Sequence, residues 1–398
     1  PNALVQIISE YSEPNVRATV KKIYEGMEVE SQNRWPSLDF DIGSINNVFS
    51  PLFSAGFYYK TFMGPHKSFW KKIYEPVIRK AAGLGKPPKE FKAISSHLHH
   101  NVDIVIVGGG LNGLLAAVSL INTNYDVLLI ESDNQLGGIL NNSSKINEIN
   151  GKRSQEWIKE TIENIENSKN IKILKNTLVT TYNYINHLIA VEDKYVGAKP
   201  AEDKVNSTLH KIRTEHVILS NGHIERFLSF QNNDLPGIML GASFEKYICR
   251  YGVIPSKEPV IFSNNSNSNS LIQTLLELNI KPKAYIDSRS GEQIEGQLFD
   301  LIRKNDMPLY TNAQVKAAYG NKKLEKIIVE DSSGGTSEIA TDFLCVSGGI
   351  NPDVHLFTQS KGLLDWDEKD LTYKPSTPFQ NTITLGSASG QFDLEEVE

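Results

Sequence analysis

Residues 102–113 read VDIVIVGGGLNG. The run VDIVIV is apolar apart from Asp103 and rich in β-branched residues, the composition of a strand buried on both faces. It runs straight into glycines at 108, 110 and 113, and an alanine- and leucine-rich helix follows. Between a strand and a helix, G-x-G-x-x-G has a mechanical meaning. Gly108 permits the tight turn, Gly110 lets backbone approach a pyrophosphate, and Gly113 lets helix and strand pack closely. Leu111 and Asn112 open the helix, whose N-terminus then faces the pyrophosphate.

A second strand, 127–130, ends at Glu131, where a carboxylate can accept both ribose hydroxyls of an adenosine. The same charge would repel a 2′-phosphate, which disfavours NADP. Ser132 follows, and Gly137-Gly138 continues the cradle in the manner of flavoproteins with two dinucleotide-binding domains. A lone glycine motif also fits a nucleotide-free turn, but strand, spacing, Glu131 and the double glycine together point to an adenine dinucleotide. Ser220-Asn221-Gly222 resembles the Ala-Thr-Gly crossover of that architecture and puts Asn221 and Gly222 at the site. The stretch ITLGSASG (383–390) breaks at Gly386, and Ser387 stands where an FAD site usually has the aspartate that holds the ribityl chain.

A second strand–loop–helix–strand unit spans 259–288, yet SNNSNSNS (263–270) replaces its glycines and would crowd a pyrophosphate. No working nicotinamide hydride site is expected there, and Asp287 reads as a solvated strand end. The fold class is therefore α/β, a two-dinucleotide-binding-domain flavoprotein fold with Rossmann units and an irregular N-terminal segment. The expected division is 1–100 for that segment, 101–250 for the first part of the dinucleotide-binding domain, and 251–340 for a degenerate Rossmann-like domain. Residues 341–398, with strands in FLCVSGG and TITLGSASG, return to the first domain. Apolar spacing predicts one amphipathic helix over 68–82, SSHLHH (95–100) reads as a hinge, and alternation over 171–219 predicts an antiparallel meander.

With 398 residues, 39% hydrophobic and 22% charged, the chain has the composition of a globular protein of two or three domains. Its net charge of -6 forms no basic block, which argues against nucleic acid, and no apolar run is long enough to span a membrane. Cys249 and Cys345 lie in apolar stretches, pointing to buried thiols in a reducing, cytoplasmic setting. The chain opens at Pro1 without an initiator Met, as a processed, trimmed or partial product would. His223 could touch a cofactor, and His355 reads as a helix start facing the interior. No nucleophile–base signature or metal spacing occurs, so no catalytic residue can be named and no bound metal is expected.

Several stretches together resemble the α subunit of heterotetrameric sarcosine oxidase. They are PNALVQ (1–6), EPNVRAT (13–19), QNRWPSL (32–38), SAGFYYKTFM (54–63) and YEPVIRKAAGLG (74–85). Beyond the glycine motif they include Asn221-Gly222 with Glu225-Arg226, NDLPGIML (233–240) and CVSGGINPDVHLFTQS (345–360). The resemblance implies a disulfide reductase-like fold that carries NAD on Gly108, Gly110, Gly113, Glu131, Gly137 and Gly138. It also implies a β-type partner subunit holding FAD, possible small additional subunits, and FMN at the interface, with the Phe57–Phe62 neighbourhood and Lys60 as the place for FMN contacts. Family members begin with a ferredoxin-like domain and end with a folate-binding half, neither of which this chain contains in full. Two rivals stay open: the α subunit of a dye-linked proline dehydrogenase or opine oxidase, with FAD or ATP in the site, and a stand-alone FAD/NADH oxidoreductase.

Overall fold

The computed structural model describes residues 94–143, 148–199, 204–294 and 296–392, together with 4–8, 13–18, 21–32, 34, 36–45, 64 and 66–85. Contacts divide the chain into two compact units, one formed by His97–Glu192 and Thr208–Glu398, the other by Asn2–Ser96 and Asp193–Ser207.

In the smaller unit, Leu4–Ile8 pairs antiparallel with Glu13–Arg17 on one side and Glu28–Ser31 on the other. The amphipathic helix predicted for 68–82 is Lys67–Phe69, a π turn at Trp70–Tyr74, and Glu75–Ala81. The π turn leads directly into Pro76, which cannot donate a backbone hydrogen bond.

The larger unit is built on two main sheets. In the first, the order is Ile171–Leu174, Val127–Ile130, Ile94–Val107, Val205–Leu219, His187–Asp193 and Thr177–Asn183, with Thr382–Thr384 also parallel to the end of Val205–Leu219. The VDIVIV reading is explained by its surroundings. Ile104 and Ile106 pack on one face with Leu114, Ala117 and Trp157, while Val105 and Val107 pack on the other with Tyr182 and Leu188. Both faces are covered, so every second residue is apolar as well; burying one such side chain contributes about 2 kcal/mol. Ile171–Leu174 is a parallel edge strand beside Val127–Ile130, so the meander begins only at Thr177.

The second sheet is all parallel, in the order Ile238–Leu240, Leu344–Ser347, Val260–Ser263, Ala284–Asp287 and Leu309–Tyr310. An antiparallel three-stranded sheet, Ala313–Tyr319 with Lys326–Asp331 and Thr336–Ala340, adjoins it. Two parts of the expected division change. Leu344–Ser347 does not return to the first sheet but sits in the middle of the second, and Ile238–Leu240 with its helix Gly241–Tyr251 also belongs there, upstream of residue 251. Of these two strands Thr382–Thr384 makes the return, and Leu356, Phe357 and Leu364 before it already pack into the core of the first sheet. The short antiparallel pair His223–Glu225 and Ile350–Pro352 carries the chain between the two sheets.

SSHLHH is part of the 14-residue strand Ile94–Val107, and the boundary between the two units falls within it, between Ser96 and His97. There His100 Nε2 lies 2.8 Å from His210 Nδ1, and His210 Nε2 lies 3.1 Å from a Glu192 oxygen. Burial, and then His210, hold the His100 ring below its ordinary basicity. Cys345 is buried as expected, whereas Cys249 is exposed on the outer side of its helix. No helix among the described residues is long and apolar enough to cross a membrane.

Candidate functional site

The turn after the first strand is built by close backbone approach. Gly108 has φ 101°, and a Cβ there would lie 2.3 Å from the Ser220 carbonyl oxygen. Ser220 in turn donates its N–H to Val107 at 2.8 Å. A Cβ on Gly113 would meet the Gly108 oxygen at 1.9 Å, so helix Leu111–Ser119 is pressed against the turn. Gly137 donates to the Gly109 oxygen at 2.7 Å, and a Cβ on Gly138 would come within 2.9 Å of the Gly110 Cα. Two glycine loops thus touch along their backbones. Gly110 caps the helix without a side-chain bond, and a Cβ there would find nothing closer than 4.0 Å. The first helical N–H groups therefore face open space, the arrangement that favours an anion.

That space is a cavity of about 770 Å³, a volume typical of a cofactor site. Of the residues expected at a cofactor, Gly108, Gly110, Leu111, Asn112, Glu131, Ser132, Gly138, Asn221, Gly222, Gly386 and Ser387 line it. Gly113 and Gly137 stand behind the wall and shape it. Glu131 is already oriented: Oε2 accepts the Gly109 N–H at 2.7 Å, and Oε1 accepts the Asp133 N–H at 2.7 Å and the Ser132 hydroxyl at 3.1 Å. Asp133 is gripped by Arg250 through two bonds of 2.6 and 2.8 Å, which fixes the Glu131 loop against helix Gly241–Tyr251.

ITLGSASG ends the strand Thr382–Thr384 and turns into a 3-10 helix, Gly386–Ser389. Gly386 has φ 60°, and a Cβ there would strike the Asn112 side chain at 2.3 Å. Ser387 therefore presents its small side chain to the cavity beside the helix start, with no carboxylate at that position.

The second sheet supplies the far wall. Asn267, Ser268 and Ser270 of the SNNSNSNS loop reach the cavity, while Ser263 and Asn265 bond to one another and Asn265 to Ser347. Asp287 is not a solvated strand end. It is 0% exposed and held by Arg289 through Nε at 3.0 Å and NH2 at 2.9 Å, outside the cavity lining. His223 lines the cavity. His355 lines it also, but its ring is exposed and bonded to Asp353 at 2.6 Å, not turned to the interior. Phe57–Phe62 and Lys60 lie outside the described residues.

Two carboxylates at the far wall had no local signal, Glu225 and Glu245. Glu225 accepts the Ala242 N–H at 3.0 Å at the start of helix Gly241–Tyr251. Burial pushes its carboxyl up from 4.5 to about 7; Glu245 adds to this, and the Ala242 N–H opposes it. The neutral form is thus the one the fold prefers. The stability it contributes is present below pH 4.5 and is lost as pH rises to about 7, at roughly 1.4 kcal/mol per pH unit, or about 3 kcal/mol in all. Glu225→Gln should flatten this part of the profile. Urea unfolding at pH 5 and pH 8 checks it: a wild-type-like slope in the variant would assign the slope to other groups.

Two buried atoms on the cavity lining have no hydrogen-bond partner: Asn142 Oδ1 and Asn221 Oδ1. Such atoms are costly unless a ligand or water engages them. Cradle glycines, an open helix start, an oriented carboxylate and unpaired polar atoms fit an adenine dinucleotide.

A family model described as an NAD(P)-binding Rossmann-like domain matches residues 106–153. The alpha subunit of sarcosine oxidase from Rhizobium meliloti (strain 1021) is 35% identical over 402 residues, covering 99% of this chain and 39% of that protein. Among solved structures, L-proline dehydrogenase from P. horikoshii matches at a TM-score of 0.55 and 22% identity, over 76% of this chain and 54% of that one. Thioredoxin reductase from T. acidophilum matches at 0.53 and 17%, over 73% of this chain and 91% of that one. The chain thus has a disulfide reductase-like fold with an NAD(P)-binding Rossmann-like domain, and along nearly its whole length it is a homologue of sarcosine oxidase alpha subunits, of whose own length it spans 39% in the relative from Rhizobium.

Proposed function

We propose that this chain is the dinucleotide-binding alpha subunit of a sarcosine oxidase-like complex, with NAD as its resident nucleotide. The observation that carries the reading is the convergence of both glycine loops, Glu131, Asn221-Gly222 and Gly386-Ser387 on one cavity. Glu131 and Ser132 would take the adenosine ribose. Gly108, Gly110 and the helix start at Leu111, Asn112 and Gly113 would take the pyrophosphate, with Gly137 and Gly138 holding the loop in place. NAD has a second ribose where FAD has ribitol, so Ser387 suffices where a flavin site needs a carboxylate.

In this reading the oxidation of a secondary amine such as sarcosine takes place on a β-type partner bearing FAD. An interface FMN passes electrons to oxygen, and the complex works in the cytoplasm. The resemblance over 99% of the chain supports the assignment. The fold shared with L-proline dehydrogenase favours, as the second reading, a proline dehydrogenase-like complex with FAD or ATP in the same cavity.

Denaturing the purified protein and identifying the released nucleotide by mass spectrometry separates these. NAD supports the proposal, FAD or ATP supports the second reading, and no nucleotide rejects a dinucleotide site. Glu131→Ala should weaken nucleotide binding roughly tenfold or more, the loss expected when charge-assisted hydrogen bonds are removed. Titration of the variant with ADP-ribose measures this; unchanged affinity would move the ribose away from Glu131.

A further inference from the structure

A dinucleotide whose adenosine lies at Glu131 and whose pyrophosphate lies at the start of helix Leu111–Ser119 would have Asn142 and Ser143 beside its other half, on the lining of the same cavity. The wall there is acidic. Glu245 is 4% exposed; its Oε1 accepts from the Ser143 hydroxyl at 2.8 Å and the Thr274 hydroxyl at 3.2 Å, and its Oε2 from Ser270 at 3.0 Å. Three hydroxyl donors suit a charged, acceptor-only carboxylate. Glu225 stands on the same wall, with the 1% exposed Ser347 hydroxyl facing its carboxyl. Lys246 and His223 also line the cavity, but neither is as deeply buried as Glu245.

We propose that Glu245, joined by Glu225 where that carboxyl is ionised, makes the far end of the cavity select a cationic ring, so that the site holds oxidised NAD in preference to NADH. The proposal rests on the reading of the cavity as an NAD site. The nicotinamide ring carries a full positive charge when oxidised and none when reduced, while the rest of the molecule is unchanged. Inside a protein, a carboxylate a few ångströms from that ring discriminates between the two forms by roughly tenfold or more. The serine and threonine hydroxyls keep the Glu245 carboxylate aimed without neutralising it.

The test is competition binding on the purified full chain with NAD+, NADH and ADP-ribose, which shares everything but the ring. Wild type should bind NAD+ at least about tenfold more tightly than NADH. Glu245→Gln should reduce that ratio to within about threefold and leave the ADP-ribose affinity within about twofold, the scatter expected of a charge term alone. Should Glu245→Gln fail to fold, Glu225→Gln measured at pH 8 must shrink the ratio in the same direction. Equal affinities for NAD+ and NADH in wild type, or a ratio unmoved by the folded variant, overturn the charge selection. Failure of wild type to bind ADP-ribose instead removes the dinucleotide site itself, and the proposal with it.

Discussion

Gly113→Ala should destabilise the protein by about 3 kcal/mol, at the upper end of the cost of forcing atoms into a packed interior, and should strip the cavity of its nucleotide. The added Cβ would lie 1.9 Å from the Gly108 oxygen, 2.9 Å from Ser220 Oγ and 3.0 Å from the Gly108 carbonyl carbon. Backbone cannot rotate aside as a side chain does. The helix start would have to back away from the turn, carrying with it the N–H groups of Leu111 and Asn112. Thermal unfolding and nucleotide content of the purified variant measure both effects. The matched control is Gly296→Ala, at the start of helix Gly296–Lys304, where a Cβ meets nothing within 4 Å. It should be neutral or stabilise by up to about 1 kcal/mol through helix propensity. A Gly113→Ala protein with full nucleotide content and an unchanged melting temperature would mean that this helix–strand contact does not position the cradle.

Arg289→Ala should cost about 3–5 kcal/mol, because it leaves a buried carboxylate without its counter-charge. Asp287 is 0% exposed, and its oxygens receive the Arg289 backbone N–H at 2.8 Å and two guanidinium N–H groups. The nearby Tyr285 hydroxyl, pushed up to about 12 by burial and then by Asp287, gives no positive charge in exchange. Arg289→Ala combined with Asp287→Asn should recover much of the loss, since the uncompensated charge is then gone. Urea unfolding of the two proteins decides the matter. A single variant losing under about 1 kcal/mol, the range of an exposed pair, would mean that solvent reaches Asp287.

The cradle was legible in the sequence because its glycines answer to local necessity. Gly108 needs a positive φ, and Gly113 must lie against the turn five residues earlier in its own motif. Glu131 was legible by its place at a strand end. The sheet to which a buried strand belongs was not legible. FLCV (343–346) is apolar throughout because it is covered on both faces, and a run of that kind is compatible with either sheet, so the place of Leu344–Ser347 in the second sheet is not legible from it. Asp287 was misread because its partner is the side chain of Arg289, folded back two residues along the chain. Glu245 lies 102 residues from Ser143 and 25 from Ser270, and only the folded chain brings these together.

The pair His223–Glu225 and Ile350–Pro352 also forms a neck. Glu225 pairs with Ile350, Arg226 donates to the Gly349 oxygen at 2.7 Å, and Gly348 donates back to Arg226 at 2.9 Å. Everything from Arg226 to Gly349 is therefore a loop closed at its base by hydrogen bonds, and a whole parallel sheet hangs from it. A segment whose two ends meet in this way can be exchanged for another without disturbing the strand order of its host. The adenosine half of the cavity belongs to the host, Glu245 belongs to the cassette and Glu225 to the neck between them, so replacement of the cassette alone would change the charge at the far end of an unaltered cradle.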